Sequence, residues 1–528
     1  MGESSDSIRQ VLTGGMRVYS SLASFGLSGI EPYVVSVEVD SRRALPGFDI
    51  VGLPDTAVKE SRDRVRSAVQ NLGYPTCASK VVANLAPADT KKQGSVYDLP
   101  ILLALLVACG YEALDFSGAA VIGEIGLSGE LRGVTGVLPM VLDAGKLGFS
   151  RVIVPAQNAA EASVATGAEI LCAEHAKDVV AYFKGEKSLP RASDLPGQKR
   201  PAPYLPDLAD VKGQQEAKRA LEVAAAGGHN LLLIGPPGAG KSMLAKRLPS
   251  ILPPMTPMES IEVTKIHSVA GLLPPGVPLL EQRPFRSPHH TVSPASLTGG
   301  GPFARPGDIS LAHGGVLFLD ELPQFQKNVL EVLRQPLEDG VISISRVRQR
   351  LSYPSRAMLV AAMNPCPCGL YGHPTQKCAC SPTAISRYLG RISGPLLDRI
   401  DLHMEVLPVE YGQLSSTRRE EDSATVRQRV NAARKIQVRR FQNAPYGVPS
   451  NAHIPAALLN EACQMEAAAE KLLHSAFERM GLSARGYGRI LKVARTIADL
   501  DGAEQIAAAH IAQAIQMRSL DRKYWAGG

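Results

Sequence analysis

The sequence predicts an α/β protein in three parts: an α+β unit over residues 16–186, an α/β core with a parallel sheet over 207–410, and a helical unit over 411–528. Three observations carry that reading. Residues 187–206, KSLPRASDLPGQKRPAPYLP, hold five prolines and four basic residues with no apolar periodicity, so they read as a linker. Beyond them, strand and helix signals alternate up to about residue 408, as strands joined by crossover helices require. From 411 onward the sequence turns helical. A chain of 528 residues, 45% of them hydrophobic, is too long for one core and apolar enough for several.

Ahead of the linker, YVVSVEVD and RVIVPA read as strands and DLPILLALLVACG as a buried helix. The opening MGESSDSIRQ lacks a basic region followed by an apolar one, and no stretch approaches about 20 uninterrupted apolar residues. The expectation is a cytoplasmic protein with no membrane contact. A net charge of +7 is mild for this length; it permits an anionic partner without demanding one.

The core opens on LLLI, residues 231–234, short enough for a buried strand, followed by GPPGAGKS and a helical run. The loop comprises Gly235, Pro236, Pro237, Gly238, Ala239, Gly240, Lys241 and Ser242. Its glycines let the backbone turn tightly so that successive N–H groups point at a β-phosphate, and the helix N-terminus adds partial positive charge. Lys241 can reach the β- and γ-phosphates, and the Ser242 hydroxyl can join a Mg²⁺ shell. Strand, loop and helix in that order predict ATP binding.

Hydrolysis needs acids, and GGVLFLDELPQF supplies them: Val316 to Leu319 form a strand ending in Asp320 and Glu321. Asp320 would help hold Mg²⁺ and Glu321 would polarise the attacking water. A further apolar run, AMLVAAMNP, ends in Asn364, whose amide could meet the water or the γ-phosphate, or could simply be a turn residue. Next comes CPCGLYGHPTQKCAC, which spaces Cys366, Cys368, Cys378 and Cys380 as two close pairs. Four thiolates so placed can close a tetrahedral site suited to structural Zn²⁺; an iron–sulfur cluster, a thiol switch and unligated thiols are the alternatives. Cys77, Cys109, Cys172 and Cys463 are scattered in apolar or helical contexts and read as core residues.

Between acid pair and cysteines, EDGVISISRVRQRLSYPSRAML reads as a hairpin, because β-branched residues follow Asp339-Gly340. If 346–351 is one strand, Arg346, Arg348 and Arg350 share a face, able to track phosphates without reading bases; an edge strand kept soluble by charge is the plainer alternative. The polar stretch 416–441 predicts a long helix whose charges read first as a solvated face and second as a DNA-binding surface.

GPPGAGKS, LFLDE, AAMNP, GPLLDRIDL and LSARGYGRILKVARTIADL together resemble an AAA+ ATPase of the magnesium-chelatase-like group, which includes minichromosome maintenance helicases. The segments MRVYSSLASFGLSGIEPYVVSVEVD, PGFDIVGLPDTAVKESRDRVRSAV, KKQGSVYDLPILLALL and VIGEIGLSGELRGVTGVLPMV resemble the ComM/YifB family over essentially the whole chain. That match begins at Met16, leaving residues 1–15 as an extension or the product of an upstream start. The resemblance implies a P-loop AAA+ α/β core with a C-terminal helical lid, Asn364 as sensor, Arg399 as arginine finger on a neighbour's nucleotide, and Arg485 as lid sensor, with Arg489 one turn away. It also implies a hairpin projecting into a central channel and a homo-hexameric motor on single-stranded or branched DNA, a helicase or branch-migration factor promoting integration of transforming DNA.

The N-terminal unit further resembles the proteolytic domain of Lon-type proteases, an α+β fold of the ribosomal small-subunit protein kind. Those enzymes need a serine and a neutral lysine. Here Val96 falls near the nucleophile position and Leu138 at the lysine's, with Ser95 adjacent, so the unit reads as catalytically silent. An ATP-dependent peptidase and a chelatase-type ATPase acting on a protein partner are the competing functions.

Overall fold

The computed structural model describes residues 18–195, 204–301, 304–345, 350–373, 375–409, 411–415, 420–444, 447–480, 483–518 and 520–525. The chain condenses into two compact units. One comprises Met1–Pro201, Ser260–Leu280 and Pro302–Arg305; the other comprises Ala202–Glu259, Glu281–Gly301 and Pro306–Gly528.

The first unit is built on a seven-stranded mixed sheet of β1 (Val18–Ser28), β2 (Glu31–Arg42), β3 (Gly47–Val51), β4 (Lys80–Ala86), β5 (Ala119–Val121), β6 (Arg151–Pro155) and β7 (Glu169–Ala173), in the order β3-β4-β2-β1-β5-β6-β7. β1 and β2 pair antiparallel along their length, from Val18 opposite Ser41 to Ser28 opposite Glu31. In β2 the valines at 35, 37 and 39 are buried while their neighbours are not, the alternation of a strand with one face on the core. Helix α1 (Thr56–Asn71) starts where the Asp55 carboxylate accepts the Val58 N–H at 2.8 Å. Helix α2 (Asp98–Ala108) is apolar on every side and buried along nearly its whole length, as a core helix should be. Its one acid, Asp98, is neutralised by the Arg64 guanidinium at 2.7 Å.

Residues 260–280 fall inside the span read from sequence as the ATP core, yet they belong to this first unit. Ser268 donates to the buried Glu161 carboxylate at 2.7 Å, and its carbonyl accepts the Gly136 N–H at 3.1 Å.

The second unit holds a five-stranded, all-parallel sheet of β8 (Leu231–Ile234), β9 (Phe285–Arg286), β10 (Val316–Leu319), β13 (Met358–Met363) and β14 (Leu402–Glu405), in the order β9-β10-β13-β8-β14. An antiparallel hairpin of β11 (Val341–Ser345) and β12 (Arg350–Pro354) lies between β10 and β13 in sequence. The central strands β8, β10 and β13 are buried at every residue, which explains their unbroken apolar sequence. Around them run α3 (Gln215–Gly227), the short α4 (Lys241–Ala245), α5 (Arg334–Asp339), α6 (Ser423–Phe441), α7 (Ala467–Met480), α8 (Ala484–Leu500) and α9 (Ala508–Gln516).

The helices after 411 thus pack into the same unit as the parallel sheet. In α6 the buried residues Val426, Val430, Ala433 and Gln437 form one stripe. Several of its cations act as internal struts: Arg429 pairs with Glu222 and Glu421, Arg440 with Asp499, and Arg434 donates to the Ala225 and Pro449 carbonyls. Among the described residues, no helix is long and apolar enough to cross a membrane.

Candidate functional site

Because the five strands run parallel, their C-terminal ends share one sheet edge, and that edge gathers the phosphate loop, the acid pair and Asn364. The loop after β8 turns through Gly238 and Gly240, at φ +79° and +93°, a conformation that side-chain-bearing residues adopt only with strain. It delivers Lys241 and Ser242 into the first turn of α4. Lys241 is buried, and its three ammonium donors reach the Gly235 carbonyl at 2.7 Å, the Pro236 carbonyl at 2.8 Å and the Asn364 side-chain oxygen at 3.0 Å. Burial pushes its pKa below the usual lysine value, while the charges of Asp320 and Glu321 push back. Ser242 donates to Asp320 at 2.6 Å.

Those contacts bring phosphate loop, acid strand and Asn364 strand to one point. The Ser242 and Asp320 oxygens lie close to the spacing of neighbouring ligands around an octahedral Mg²⁺, about 2.9 Å for metal–oxygen bonds of about 2.05 Å, so they could share that ion. Glu321 sits just beyond Asp320 with a left-handed backbone, φ +51°, a strained conformation of the kind that concentrates at functional sites.

Two residues at this edge escaped sequence reading. Gln214, itself at φ +58°, donates to the Ala239 carbonyl at 3.2 Å and to the Leu407 carbonyl at 2.5 Å, tying the phosphate loop to the exit of β14. Tyr388 hydrogen-bonds the Asn364 backbone, and its pKa is pushed up to about 12 chiefly by burial. Neither belongs to a local motif; Gln214 precedes the loop by more than 20 residues.

Arg399 and Arg485 do not join the phosphate loop. They line a separate cavity of about 420 Å³ in the same unit, with Arg356, Arg489 and Lys492. Arg485 and Arg489 project from the same face of α8, whose start is capped by Ser483 accepting the Gly486 N–H at 3.1 Å. Arg399 is paired to Glu338 and donates to the Pro395 carbonyl at 2.7 Å. Arg399 Nε and Arg489 Nη1 are buried without a hydrogen-bond partner among the described residues. Asp401 takes the Arg489 guanidinium at 3.4 Å. Burial alone would raise its pKa, but the contact with His229 and the Arg489 charge hold it down, to about 2.

Cys366, Cys368, Cys378 and Cys380 converge, all four sulfurs lying within 4.8 Å of one another. Sulfur separations of 3.4, 3.6 and 3.5 Å among the first three match the edge of one tetrahedral site, about 3.8 Å for Zn–S bonds of about 2.3 Å. Backbone N–H groups of Tyr371 and Cys380 donate to the Cys366 and Cys378 sulfurs, at 3.3 and 3.4 Å. Within the same loop, His373 Nδ1 accepts from the Thr375 and Gln376 N–H groups at 3.2 and 3.1 Å.

Of the three hairpin arginines, Arg346 and Arg348 lie outside the described residues. The strand resumes at Arg350, paired with Ser345, but the Arg350 side chain also lies outside the description. In the first unit, Val96 and Leu138 are buried, Ser95 donates to the Glu124 carboxylate, and the Lys92 ammonium is taken by the Pro87 and Thr90 carbonyls.

A phosphate cradle, an acidic strand end and a polar strand end on one edge of a parallel sheet define a P-loop ATPase of the AAA+ kind. The family described as magnesium chelatase, subunit ChlI, matches residues 207–414; subunit ChlI of Mg-chelatase matches 37–158; and the ChlI C-terminal region matches 420–518. Competence protein ComM of Haemophilus influenzae is 44% identical over 500 residues, 94% of this chain and 96% of its own. YifB of Salmonella typhimurium is 44% identical over 498 residues, 94% and 96% of the two chains, and a Mycobacterium tuberculosis protein is 42% identical over 501, 94% and 97%. The chain belongs to the YifB/ComM family of magnesium-chelatase-like ATPases.

Proposed function

We propose that the protein is a ring-forming, six-subunit motor that hydrolyses ATP to move single-stranded or branched DNA during homologous integration. The observation that carries this reading is the split of the hydrolytic residues: Lys241, Ser242, Asp320 and Asn364 meet at the sheet edge, while Arg399 and Arg485 line a different cavity. Split in this way, each site is completed by a second copy of the chain. Arg399 Nε, buried without a hydrogen-bond partner among the described residues, is a donor left over for a phosphate oxygen.

In the working site the loop N–H groups and Lys241 bind the β- and γ-phosphates. Ser242 and Asp320 would hold Mg²⁺, which neutralises phosphate charge. Asn364 orients the attacking water, and Glu321 polarises it and takes its proton. Arg399 and Arg485 of the adjoining copy stabilise charge on the transferring phosphoryl group. The four cysteines would hold one structural Zn²⁺, which supplies a rigid crosslink next to the sensor strand.

Support for DNA as the substrate comes from the hairpin placed between acid and sensor strands, with arginines at 346, 348 and 350, and from the name of the H. influenzae relative. The N-terminal unit is a Lon-protease-like domain without peptidase chemistry, since Ser95 and Lys92 are both engaged elsewhere and Leu138 is apolar. The test is ATP turnover with and without single-stranded, duplex and four-way-junction DNA. Stimulation by DNA supports the motor; turnover indifferent to every DNA favours a chelatase-type ATPase, and casein cleavage would restore the peptidase.

A further inference from the structure

Arg399 can act on a neighbour's phosphate only if its loop is held still, and nothing in a local motif says what holds it. The residues just before β8, His229 and Asn230, do so in the structure. The Asn230 side-chain amide donates to the Arg399 carbonyl at 2.8 Å, while its oxygen accepts the Leu359 N–H at 2.8 Å, in the strand that leads into Asn364. The Asn230 backbone N–H donates to the Asp401 carboxylate at 3.2 Å, and its carbonyl accepts the Asp401 and Leu402 N–H groups at 3.1 and 3.0 Å. His229, fully buried, sits with Nδ1 3.3 Å from the same carboxylate and Nε2 2.8 Å from Thr496 of α8. Asp401 in turn takes Arg489 of α8.

We infer that Asn230 is a positioning residue for Arg399. It stands at the foot of the strand that ends in the phosphate loop and fixes, through one side chain, both the arginine loop and the start of the sensor strand. The inference rests on the reading of Arg399 as a finger acting in trans. Its physical basis is that a half-buried amide with both ends satisfied can be neither shifted nor replaced without leaving the backbone groups it serves short of a partner. Leu359 and Arg399 are far apart in sequence, and Asn230 joins them because it offers a donor and an acceptor on one planar group.

The experiment mixes subunits of the full chain. Arg399→Ala with Lys241→Ala is the control: recovery of turnover establishes the trans finger, and its failure sinks that reading and, with it, this inference. Given recovery, Asn230→Ala should lose turnover at least tenfold as a pure assembly, with affinity for a fluorescent ATP analogue within about threefold of the parent. Mixed with Lys241→Ala, which keeps an intact finger, it should regain turnover; mixed with Arg399→Ala, defective in the same half, it should not. Asn230→Asp keeps the acceptor for Leu359 and removes the donor to Arg399, so it should follow the alanine variant. Recovery with Arg399→Ala but not with Lys241→Ala would place the defect in the phosphate loop and overturn the inference. So would parental turnover in either variant. Loss of the melting transition in both would make Asn230 a residue of the fold alone, which also overturns it.

Discussion

Gly369, inside the cysteine loop, should set ATP affinity although it is unsuited to touch ATP chemistry itself. It stands at φ +80°, and a Cβ added there would lie 2.4 Å from Pro237 Cδ and 3.2 Å from its Cγ. Carbon atoms pack at about 3.5–4.0 Å, so the overlap is about 1 Å against a rigid ring in the phosphate loop. Two costs follow for Gly369→Ala. The left-handed backbone costs about 1–2 kcal/mol, borne by the cysteine loop, and relief of the overlap costs about 1–3 kcal/mol, borne where Pro237 must move. Pro237 adjoins the Pro236 carbonyl that accepts from Lys241, so the second cost appears in nucleotide binding. At about 1.4 kcal/mol per tenfold, affinity should fall about 5- to 150-fold. Titration with a fluorescent ATP analogue, alongside a melting curve, measures it. Gly502→Ala is the control: φ is +70° and no atom lies within 4 Å, so it carries the backbone cost alone and should leave affinity unchanged. Affinity within twofold of the parent in a folded Gly369→Ala protein would refute the coupling, as would an equal loss in Gly502→Ala.

Lys241→Ala should abolish ATP turnover, whereas Glu321→Gln should bind ATP and stall; parental turnover in Glu321→Gln would remove that residue from the general-base role. Elemental analysis should find about one zinc per chain, lost together with thermal stability in Cys366→Ser or Cys378→Ser, as four thiolates on one ion require; no zinc, or iron in its place, contradicts this. Replacing Arg346, Arg348 and Arg350 together with Ala should leave basal turnover and assembly intact, abolish DNA-stimulated turnover, and lower the salt slope of DNA affinity by about three units. Unchanged DNA handling would move attention to α6, where Arg427, Lys435 and Arg439 remain solvent-facing.

What sequence carries well is chemistry confined to a few consecutive residues. The phosphate loop was legible because its glycines, Lys241 and Ser242 are adjacent, and the acid pair because an apolar strand announces where Asp320 will stand. The cysteine loop was legible for the same reason. Contacts that depend on which strands become neighbours were not: β13 lies between β8 and β10, and only that order sets Asn364 beside Lys241. Asn230 carries no local signal, since its partners Leu359 and Arg399 are more than a hundred residues away. Residues 260–280 carry no local sign that sets them apart from the core around them, yet Ser268 finds its partner in Glu161. The charge of α6 misleads in the other direction, because composition counts Arg429, Arg434 and Arg440 as surface cations when they are bound inward.

The central claim is that ATP hydrolysis at the Lys241–Asp320–Asn364 edge drives movement on DNA. Its most direct measurement is resolution of a labelled four-way junction into duplex products by the purified chain, followed with ATP, with a non-hydrolysable analogue, and with Glu321→Gln. Junction resolution that needs both hydrolysable ATP and Glu321 is the result this account predicts. Brisk ATP turnover with the junction left intact, while displacement of a paired strand is likewise absent, would contradict it.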